Sequence, residues 1–179
     1  MSVQNFLVPE TLATHFHLRP GDRVGDFGSG VGSFVPVLSR LVGPDGRVYA
    51  VEIQKGLVEA LVAKARKERL SNVEVIWGDL EEVGGTKIAE GSLDVAIMVN
   101  CLFQIEDRSI ALREVFRTLR SGGRLLIVDW SESWGGLGPQ VGQVLDEASA
   151  RADAESEGLV FERSFDAGAH HYGLAFRKP

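Results

Sequence analysis

The stretch Arg23-Val-Gly-Asp-Phe-Gly-Ser-Gly-Val-Gly32 decides the fold, because a short apolar run that ends in an acid leads into three closely spaced glycines. A segment with helical periodicity follows over 31–42. A strand, a glycine-rich turn and a helix in this order form the unit against which nucleotide-like ligands bind in open α/β sheets. The sequence therefore predicts such a ligand at this turn.

The spacing of the glycines narrows the class of ligand. A dinucleotide fingerprint, G-x-G-x-x-G, would place its third glycine at Ser33, whereas this chain has it at Gly32. Asp26 lies two residues before Gly28, where its charge would repel a pyrophosphate and would suit an ammonium group. The pattern D-x-G-x-G-x-G resembles motif I of the class I S-adenosylmethionine-dependent methyltransferases.

Short apolar runs alternate with longer amphipathic segments along the chain, which is typical of a parallel sheet with helices on both faces. Strands are predicted at 23–27, 47–52, 73–77, 93–99, 123–129, 159–165 and 171–177. Helices are predicted at 8–16, 31–42, 55–69, 107–118 and 139–157. Glycine-containing segments at 43–46 and 120–123 are predicted breaks between helix and strand.

Residues 166–170, between the last two predicted strands, are too few for a crossover helix and predict an antiparallel hairpin. The resemblance implies an α/β fold of three layers, doubly wound around a mostly parallel seven-stranded sheet of order 3-2-1-4-5-7-6. We expect one methyltransferase domain over 1–179, with a core at 23–179. By the same resemblance, 1–22 forms a helical lid segment in which Phe6 covers the cofactor.

Composition excludes several classes of function. The 19 lysines and arginines face 25 acids, and this net charge of −6 disfavours nucleic acid as a partner. Cys101 is the single cysteine, so the chain forms no internal disulfide, and no metal site is predicted. The apolar runs are too short to span a bilayer and no signal peptide is apparent, so we expect a cytoplasmic protein without membrane contact.

Four segments are expected to meet at the carboxyl ends of the strands, where open sheets bind their ligands. The resemblance implies that the turn from Asp26 to Gly32 wraps the methionine part of S-adenosylmethionine, with Asp26 acting on its ammonium group. The residues assigned to this turn are Asp26, Gly28, Ser29, Gly30 and Gly32. Glu52 is then expected to accept both ribose hydroxyls and Ile53 to border the adenine, although NAD enzymes also place an acid near this position.

Asp79 and Leu80 follow the strand at 73–77, and by matching position they inherit the contacts to the adenine amino group and ring. Asn100 ends the strand at 93–99, where family members contact the methionine moiety or the methyl acceptor. The sequence Asn100-Cys-Leu-Phe103 lacks both prolines of the Asn-Pro-Pro-aromatic motif of amino-group methyltransferases. Methylation of adenine is therefore not predicted.

Trp130, Trp134 and His170 are the candidates for contact with the acceptor, because they lie on loops that face the donor's methyl group in the predicted fold. A histidine in such a place can act as a base near neutral pH. The alternatives are that the tryptophans pack their loop onto the sheet and that one of His170 and His171 points into the core. With about 22 residues before the first strand, the acceptor site is shallow, or completed by a second subunit or a partner protein.

The sequence thus predicts a methyltransferase that moves a methyl group from S-adenosylmethionine to a small molecule and releases S-adenosylhomocysteine. The segments 73–79 and 119–129 are most similar to the small-molecule group that includes quinone-biosynthesis methyltransferases. One alternative is a non-catalytic module that binds S-adenosylmethionine, or the cofactor-bearing partner in a heteromeric complex. Another is an NAD-dependent oxidoreductase, which Asp26, Gly32 and the terminal hairpin disfavour.

Overall fold

A computed structural model describes residues 7–136 and 138–179, and its central feature is a single seven-stranded sheet. The strands are β1 (Arg23–Phe27), β2 (Arg47–Glu52), β3 (Val73–Trp77), β4 (Leu93–Val99), β5 (Leu119–Trp130), β6 (Val160–Asp166) and β7 (His171–Arg177). Their order across the sheet is β3-β2-β1-β4-β5-β7-β6. The predicted fold class and strand order are confirmed.

The direction of the strands divides the sheet into two parts. The pairs β3–β2, β2–β1, β1–β4 and β4–β5 are parallel, so all five strands end at the same edge of the sheet. Strand β7 runs antiparallel to both β5 and β6. The short connection at 167–170 closes this hairpin, as the sequence predicts.

Helices cover both faces of the sheet and form the outer two layers. They are α1 (Pro9–Leu12), α2 (Val35–Val42), α3 (Lys55–Lys67), α4 (Arg108–Thr118) and α5 (Glu147–Ser156). The first three pack on one face and the last two on the other, and each face buries its own apolar core. None of the helices in the described ranges is long and apolar enough to cross a membrane.

Helix α2 and strand β5 each begin four residues away from the predicted position. Helix α2 begins at Val35 rather than at residue 31, because the glycine turn continues to Phe34. Strand β5 begins at Leu119, so the predicted break at 120–123 lies inside a strand. Gly122 adopts a φ of 74°. Leu93 pairs with Leu119 and Val95 pairs with Arg124, so β5 has extra residues over this interval and bulges out of the ladder with β4.

Two predicted helices are shorter and interrupted. The segment 139–157 contains a 3-10 turn at Val141–Gln143 and then α5, whose first turn is capped by the Asp146 carboxylate accepting the Ser149 N–H. The segment 8–16 contains α1 followed by a 3-10 turn at Ala13–Phe16. Phe6, the predicted cofactor cover, lies outside the described residues.

The glycine turn packs against α3 through Gly32. Gly32 has a φ of 71°, and a Cβ atom built on it would lie 2.4 Å from Cδ2 of Leu61, which is buried at the centre of α3. The Lys64 amine, one turn further along, donates to the Gly32 carbonyl at 2.7 Å. This contact explains why the third glycine is at 32, since any side chain there would push the turn away from α3.

We predict that Gly32→Ala destabilises the protein by about 2–4 kcal/mol, because the alanine is strained at positive φ and also overlaps Leu61. Gly30→Ala is the matched control, since Gly30 has a φ of 55° but open space where its Cβ would lie. Its cost is strain alone, about 1–2 kcal/mol. Urea denaturation of both variants measures the difference, and equal losses would contradict the packing role of Gly32.

Candidate functional site

A cavity of about 520 Å³ lies at the carboxyl ends of the parallel strands, beside the point where the strand order reverses between β1 and β4. Its walls come from the turns that follow β1, β2, β3 and β4, together with Leu7 and Pro9 from the beginning of the described chain. The topology alone brings these turns together, because parallel strands all release their chain at the same edge.

The cavity gathers nine of the ten residues that the sequence assigns to ligand binding. The nine are Asp26, Gly28, Ser29, Gly30, Glu52, Ile53, Asp79, Leu80 and Asn100. Gly32 does not line the cavity, because it is buried beneath the turn against Leu61. Its contribution is therefore to hold the turn in place rather than to meet a ligand.

The Glu52 carboxylate joins the turns after β1 and β2. Its Oε2 accepts the Gly30 N–H at 2.9 Å, and its Oε1 accepts the N–H groups of Ile53 at 3.0 Å and Gln54 at 2.9 Å. The side chain is 6% exposed and lines the cavity. Oε1 already accepts two donors, whereas Oε2 has capacity for one more, so the group is fixed in position and can accept a ligand's hydroxyl group at Oε2.

Asp26 brings a second carboxylate to the cavity from the end of β1. Burial raises the pKa of its carboxyl to about 7, the nearby charge of Glu52 also raises this pKa, and a hydrogen bond with the Ser29 hydroxyl lowers it. A buried carboxylate in this state is stabilised by any cation that approaches it. The position therefore favours a ligand with a positively charged group and disfavours a phosphate.

Gly28 lets the turn after β1 touch the turn after β4. A Cβ atom on Gly28, whose φ is 74°, would lie 2.5 Å from the Cys101 sulfur. Burial raises the pKa of the Cys101 thiol, which therefore stays protonated and packs as a small apolar group. Gly28 and Cys101 both line the cavity, so the two turns meet at its wall.

The turn after β3 forms the far wall of the cavity. Asp79 lines it with its carboxylate, whose Oδ1 also accepts the Glu81 N–H at 2.8 Å. Leu80 adds an apolar surface on the same side. Ile53, half exposed at 52%, also lines the cavity, and its carbonyl accepts the Trp77 indole N–H at 2.9 Å. The turns after β2 and β3 thus contribute two apolar side chains, Ile53 and Leu80, besides the acid Asp79.

Asn100 closes the end of the cavity that lies over β4. It has a φ of 52°, in the left-handed region, and its Oδ1 atom is buried with no hydrogen-bond partner among the described residues. A buried amide oxygen left in this state favours a ligand that brings a donor. The Gln104 amide donates to the Asn100 carbonyl at 2.9 Å, which holds the strained turn.

A buried acid on the next strand holds the loop after Asn100. The Asp129 carboxylate, at the end of β5, accepts the N–H groups of Phe103 at 3.0 Å and Trp130 at 2.9 Å. Burial raises the pKa of Asp129 to about 6, while these backbone donors lower it. This acid therefore positions the loop and does not itself line the cavity.

None of the three candidates for acceptor contact lines the cavity. Trp130 is buried against His171, with ring centroids 4.2 Å apart. His170 Nδ1 lies 2.6 Å from Glu132 Oε1, and the Trp134 ring lies 4.8 Å from the His170 ring. Trp130 is thus a packing residue, whereas His170 and Trp134 form a polar and aromatic cluster at the same edge of the sheet as Asn100.

Several cavity residues escaped the sequence reasoning. These are Leu7, Pro9, Val31, Ser33, Phe34, Val51, Gln54, Leu57, Gly78, Glu81, Val99, Cys101, Gln104 and Ile105. Most of them are adjacent in sequence to a predicted site residue. Extending each predicted contact by one residue along the chain would therefore have included them. Gln104 and Ile105 belong to a loop that carries no motif, and the Asp129 contact that positions it comes from another strand.

The polar side chains predicted to bind the ligand offer mainly hydrogen-bond acceptors, namely the carboxylates of Asp26, Glu52 and Asp79 and the amide oxygen of Asn100. A pyrophosphate carries acceptors only, so it fits this set poorly. A ligand with an ammonium group, two hydroxyls and an amino group would satisfy all four residues. S-adenosylmethionine carries each of these donors.

A family model described as "Methyltransferase domain" matches residues 25–127, more than half of the chain. In sequence, the chain is 34% identical over 115 residues to the ubiquinone/menaquinone biosynthesis C-methyltransferase of Vibrio campbellii. The match covers 64% of this chain and 43% of that protein. The chain therefore matches less than half the length of this curated relative.

Solved structures agree with the family match. A SAM-dependent methyltransferase from Aquifex aeolicus superposes with a TM-score of 0.88 at 27% identity, covering 96% of this chain and 89% of that one. A putative type 11 methyltransferase from Sulfolobus solfataricus superposes with a TM-score of 0.74 at 26% identity, covering 97% and 94%. Both likenesses extend over nearly the whole chain and so include the strands and turns that form the cavity.

Proposed function

The chain belongs to the methyltransferase-domain family, and on that premise we propose that it transfers a methyl group from S-adenosylmethionine to a small-molecule acceptor. The observation that carries this proposal is the set of hydrogen-bond acceptors in the cavity, above all the buried Asp26 carboxyl with its pKa near 7. These acceptors complement the hydrogen-bond donors of S-adenosylmethionine, namely its ammonium, hydroxyl and amino groups. They lie where methyltransferases of this fold bind the cofactor.

In this proposal each wall of the cavity holds one part of the methyl donor. Asp26 neutralises the ammonium group, and Gly28 allows the backbone to approach the methionine moiety. Glu52, held by three backbone N–H groups, accepts the ribose hydroxyls. Asp79 accepts the adenine amino group, and the ring lies between Ile53 and Leu80.

The sulfonium supplies a methyl group that is already activated for displacement. The remaining task of the protein is to exclude water, align the acceptor and, where the acceptor carries a proton, remove it. Asn100 lies over β4 with its unpartnered Oδ1 atom and would hold a protic group of the donor or the acceptor. The His170 cluster lies along the same edge and would receive the proton.

Two features support an acceptor site that the segment before β1, and a second subunit or a partner protein, would complete. The candidates Trp134 and His170 lie outside the cavity, and Leu7 and Pro9 at its mouth come from the segment that precedes β1. We propose that this segment acts as a lid and that a second subunit or a partner protein contributes to acceptor binding. The relative from Vibrio campbellii is named for C-methylation in ubiquinone and menaquinone biosynthesis, which makes a quinone precursor a first acceptor to assay.

A non-catalytic module that binds S-adenosylmethionine is the second candidate function. The observation that favours it is that none of Trp130, Trp134 and His170 lines the cavity. The two functions share the cofactor contacts and differ only in whether an acceptor is methylated.

We predict that Glu52→Gln weakens binding of S-adenosylhomocysteine by about 1.5–3 kcal/mol, roughly one to two orders of magnitude in Kd, because hydrogen bonds to a charged group are lost. Isothermal titration calorimetry measures the change. Glu59→Gln on the exposed surface of α3 changes the net charge equally and is the control. Unchanged affinity in Glu52→Gln would show that this residue does not contact the ribose.

We predict that S-adenosylhomocysteine binds more tightly as the pH rises from 6 to 8 and that binding releases protons. The free Asp26 carboxyl has a pKa of about 7, and an adjacent ammonium favours its ionised form, so binding lowers this pKa. Calorimetry in buffers of different ionisation enthalpy counts the protons. Asp26→Asn should bind weakly without proton release.

The same pKa fixes the sign of the pH effect on stability. Because the folded carboxyl binds its proton more tightly than the ordinary value of 3.8, the free protein loses stability as the pH rises from about 4 to 7. In Asp26→Asn this loss is absent. A wild-type protein whose pH dependence of unfolding matches that of Asp26→Asn would contradict the assigned ionisation.

We predict that the protein transfers tritium from methyl-labelled S-adenosylmethionine to a compound in a small-molecule extract from bacterial cells. Chromatography of the extract detects the labelled product. When the donor concentration is below the Kd of Glu52→Gln for the donor, this variant should form less product than the wild-type protein, in proportion to its weaker binding. Binding of S-adenosylhomocysteine without any label transfer, including to demethylated quinone precursors, would favour the non-catalytic module.

A further inference from the structure

Strand β3 forms an open edge of the sheet on the side away from the terminal hairpin. It pairs with β2 along Val73 to Trp77, and no other described strand lies on its outer side. The backbone groups of an edge strand are available to pair with another extended chain. In β3 two of them already have partners, because the Trp77 carbonyl accepts the Lys87 amine at 2.7 Å and the Val73 N–H donates to the Leu70 carbonyl at 3.3 Å, so strand addition would centre on Val75. Proteins usually cover their edge strands or protect them against pairing with other chains. The side chains around this edge therefore indicate which kind of partner could bind there.

An exposed tryptophan between two lysines lies at one end of this edge. Trp77 is 49% exposed. The Lys55 amine lies 4.8 Å from the centre of its ring and the Lys87 amine lies 5.1 Å from it. Exposed tryptophans with nearby cations are common centres of protein interfaces.

An apolar groove with two arginines lies at the other end. It has a volume of about 480 Å³ and runs between α3 and β3, where Val62 and Ala65 face Val73 and Val75. Arg66 and Arg69 form its rim, and both side chains are exposed.

The two features form one surface, which we call the β3-edge surface: Trp77, Val75 and Val73 on the strand, the groove on α3, and the four cations Lys55, Lys87, Arg66 and Arg69. The three strand residues alternate, so they face the same side at steps of about 6.6 Å. A partner strand would complement this row with three alternate side chains in the order acid, apolar, acid. The apolar side chain would then lie between the two pairs of cations.

The charge of the β3-edge surface is unusual for this molecule. The chain carries a net charge of −6, yet four cations surround one short strand. Within the described ranges, none of these cations forms an ion pair with an acid. Two acids lie close by. Glu59 is on the same helical stripe as Lys55 and Arg66, whereas Glu74 points to the opposite face of β3. One acid among four cations leaves the surface with an excess of positive charge.

We propose that the β3-edge surface binds an extended acidic segment of a partner protein, which adds to the sheet as an eighth strand beside β3. On the side facing α3 the segment carries acid, apolar and acid at alternate positions. One acid pairs with Lys55 and Lys87 beside the Trp77 ring, the apolar residue enters the groove, and the second acid pairs with Arg66 and Arg69. The pattern reads the same in both directions, so it fits parallel or antiparallel addition.

A second copy of this chain fits the surface less well. Pairing β3 with β3 of another copy would bring four cations against four cations, which is unfavourable. Pairing β3 with the other edge, β6, would join copies head to tail without closure. An acidic segment from a different protein meets neither obstacle.

The test uses two blocked peptides of identical composition, Glu-Thr-Val-Thr-Glu and Thr-Glu-Val-Glu-Thr. Only the first places both acids on the same face as its valine, because side chains alternate along a strand. Titrations followed by two-dimensional amide NMR should show shifts in the β3 amides and in the Trp77 indole N–H. We expect the first peptide to bind at least tenfold more tightly, and its affinity to fall with added salt.

Arg66→Glu combined with Arg69→Glu should abolish binding of the first peptide, while Lys67→Glu, which lies outside the groove, should preserve it. S-adenosylhomocysteine binding should be the same in all three proteins, which separates this proposal from the proposed methyltransferase function. Equal binding of the two peptides, or displacement of the first by pentanoate at equal concentration, would overturn strand addition and indicate a site for small amphipathic anions. Concentration-dependent polymers without peptide would indicate pairing between copies.

Discussion

The Glu52 carboxylate is the interaction on which the candidate site depends. Its two oxygens accept backbone N–H groups from the turn after β1 and from its own turn after β2, so two loops from neighbouring strands share one buried charge. Without that charge, Gly30 would lose the partner that orients its turn toward the cavity. The same carboxylate lines the cavity where a ribose is expected, so structural support and the proposed ligand recognition reside in one group.

Local patterns in the sequence predict most of the fold and bring nine of the ten assigned residues to one cavity. Each apolar run between polar breaks became a strand, and Asp26, Gly28, Ser29 and Gly30 of the glycine motif line the cavity. The strand order followed from the resemblance rather than from spacing, and the observed sheet confirms it. Long-range contacts explain the failures. Gly32 packs against Leu61, and the predicted break at 120–123 became strand because β4 and β5 pair through a shifted register.

The acceptor side shows the limit of sequence reasoning most clearly. Trp130, Trp134 and His170 lie at the predicted edge of the sheet, but packing directs Trp130 into the core and pairs His170 with Glu132. Which of two neighbouring histidines points inward depends on the register of β7 against β5, where His171 faces Trp130. A periodic pattern identifies the strand but leaves its register open, and one residue of shift exchanges the two side chains.

The position of β7 between β5 and β6 affects the order in which the sheet can form during synthesis. Strand β6 pairs only with β7 among the described strands, and β7 follows it in the chain. When β6 leaves the ribosome it therefore has no partner, and the side of β5 away from β4 stays open until residues 171–177 arrive. The parallel strands leave the ribosome earlier, but Tyr172, Leu174 and Phe176 of β7 belong to the apolar core beneath α4 and α5, so that core is completed only when β7 arrives.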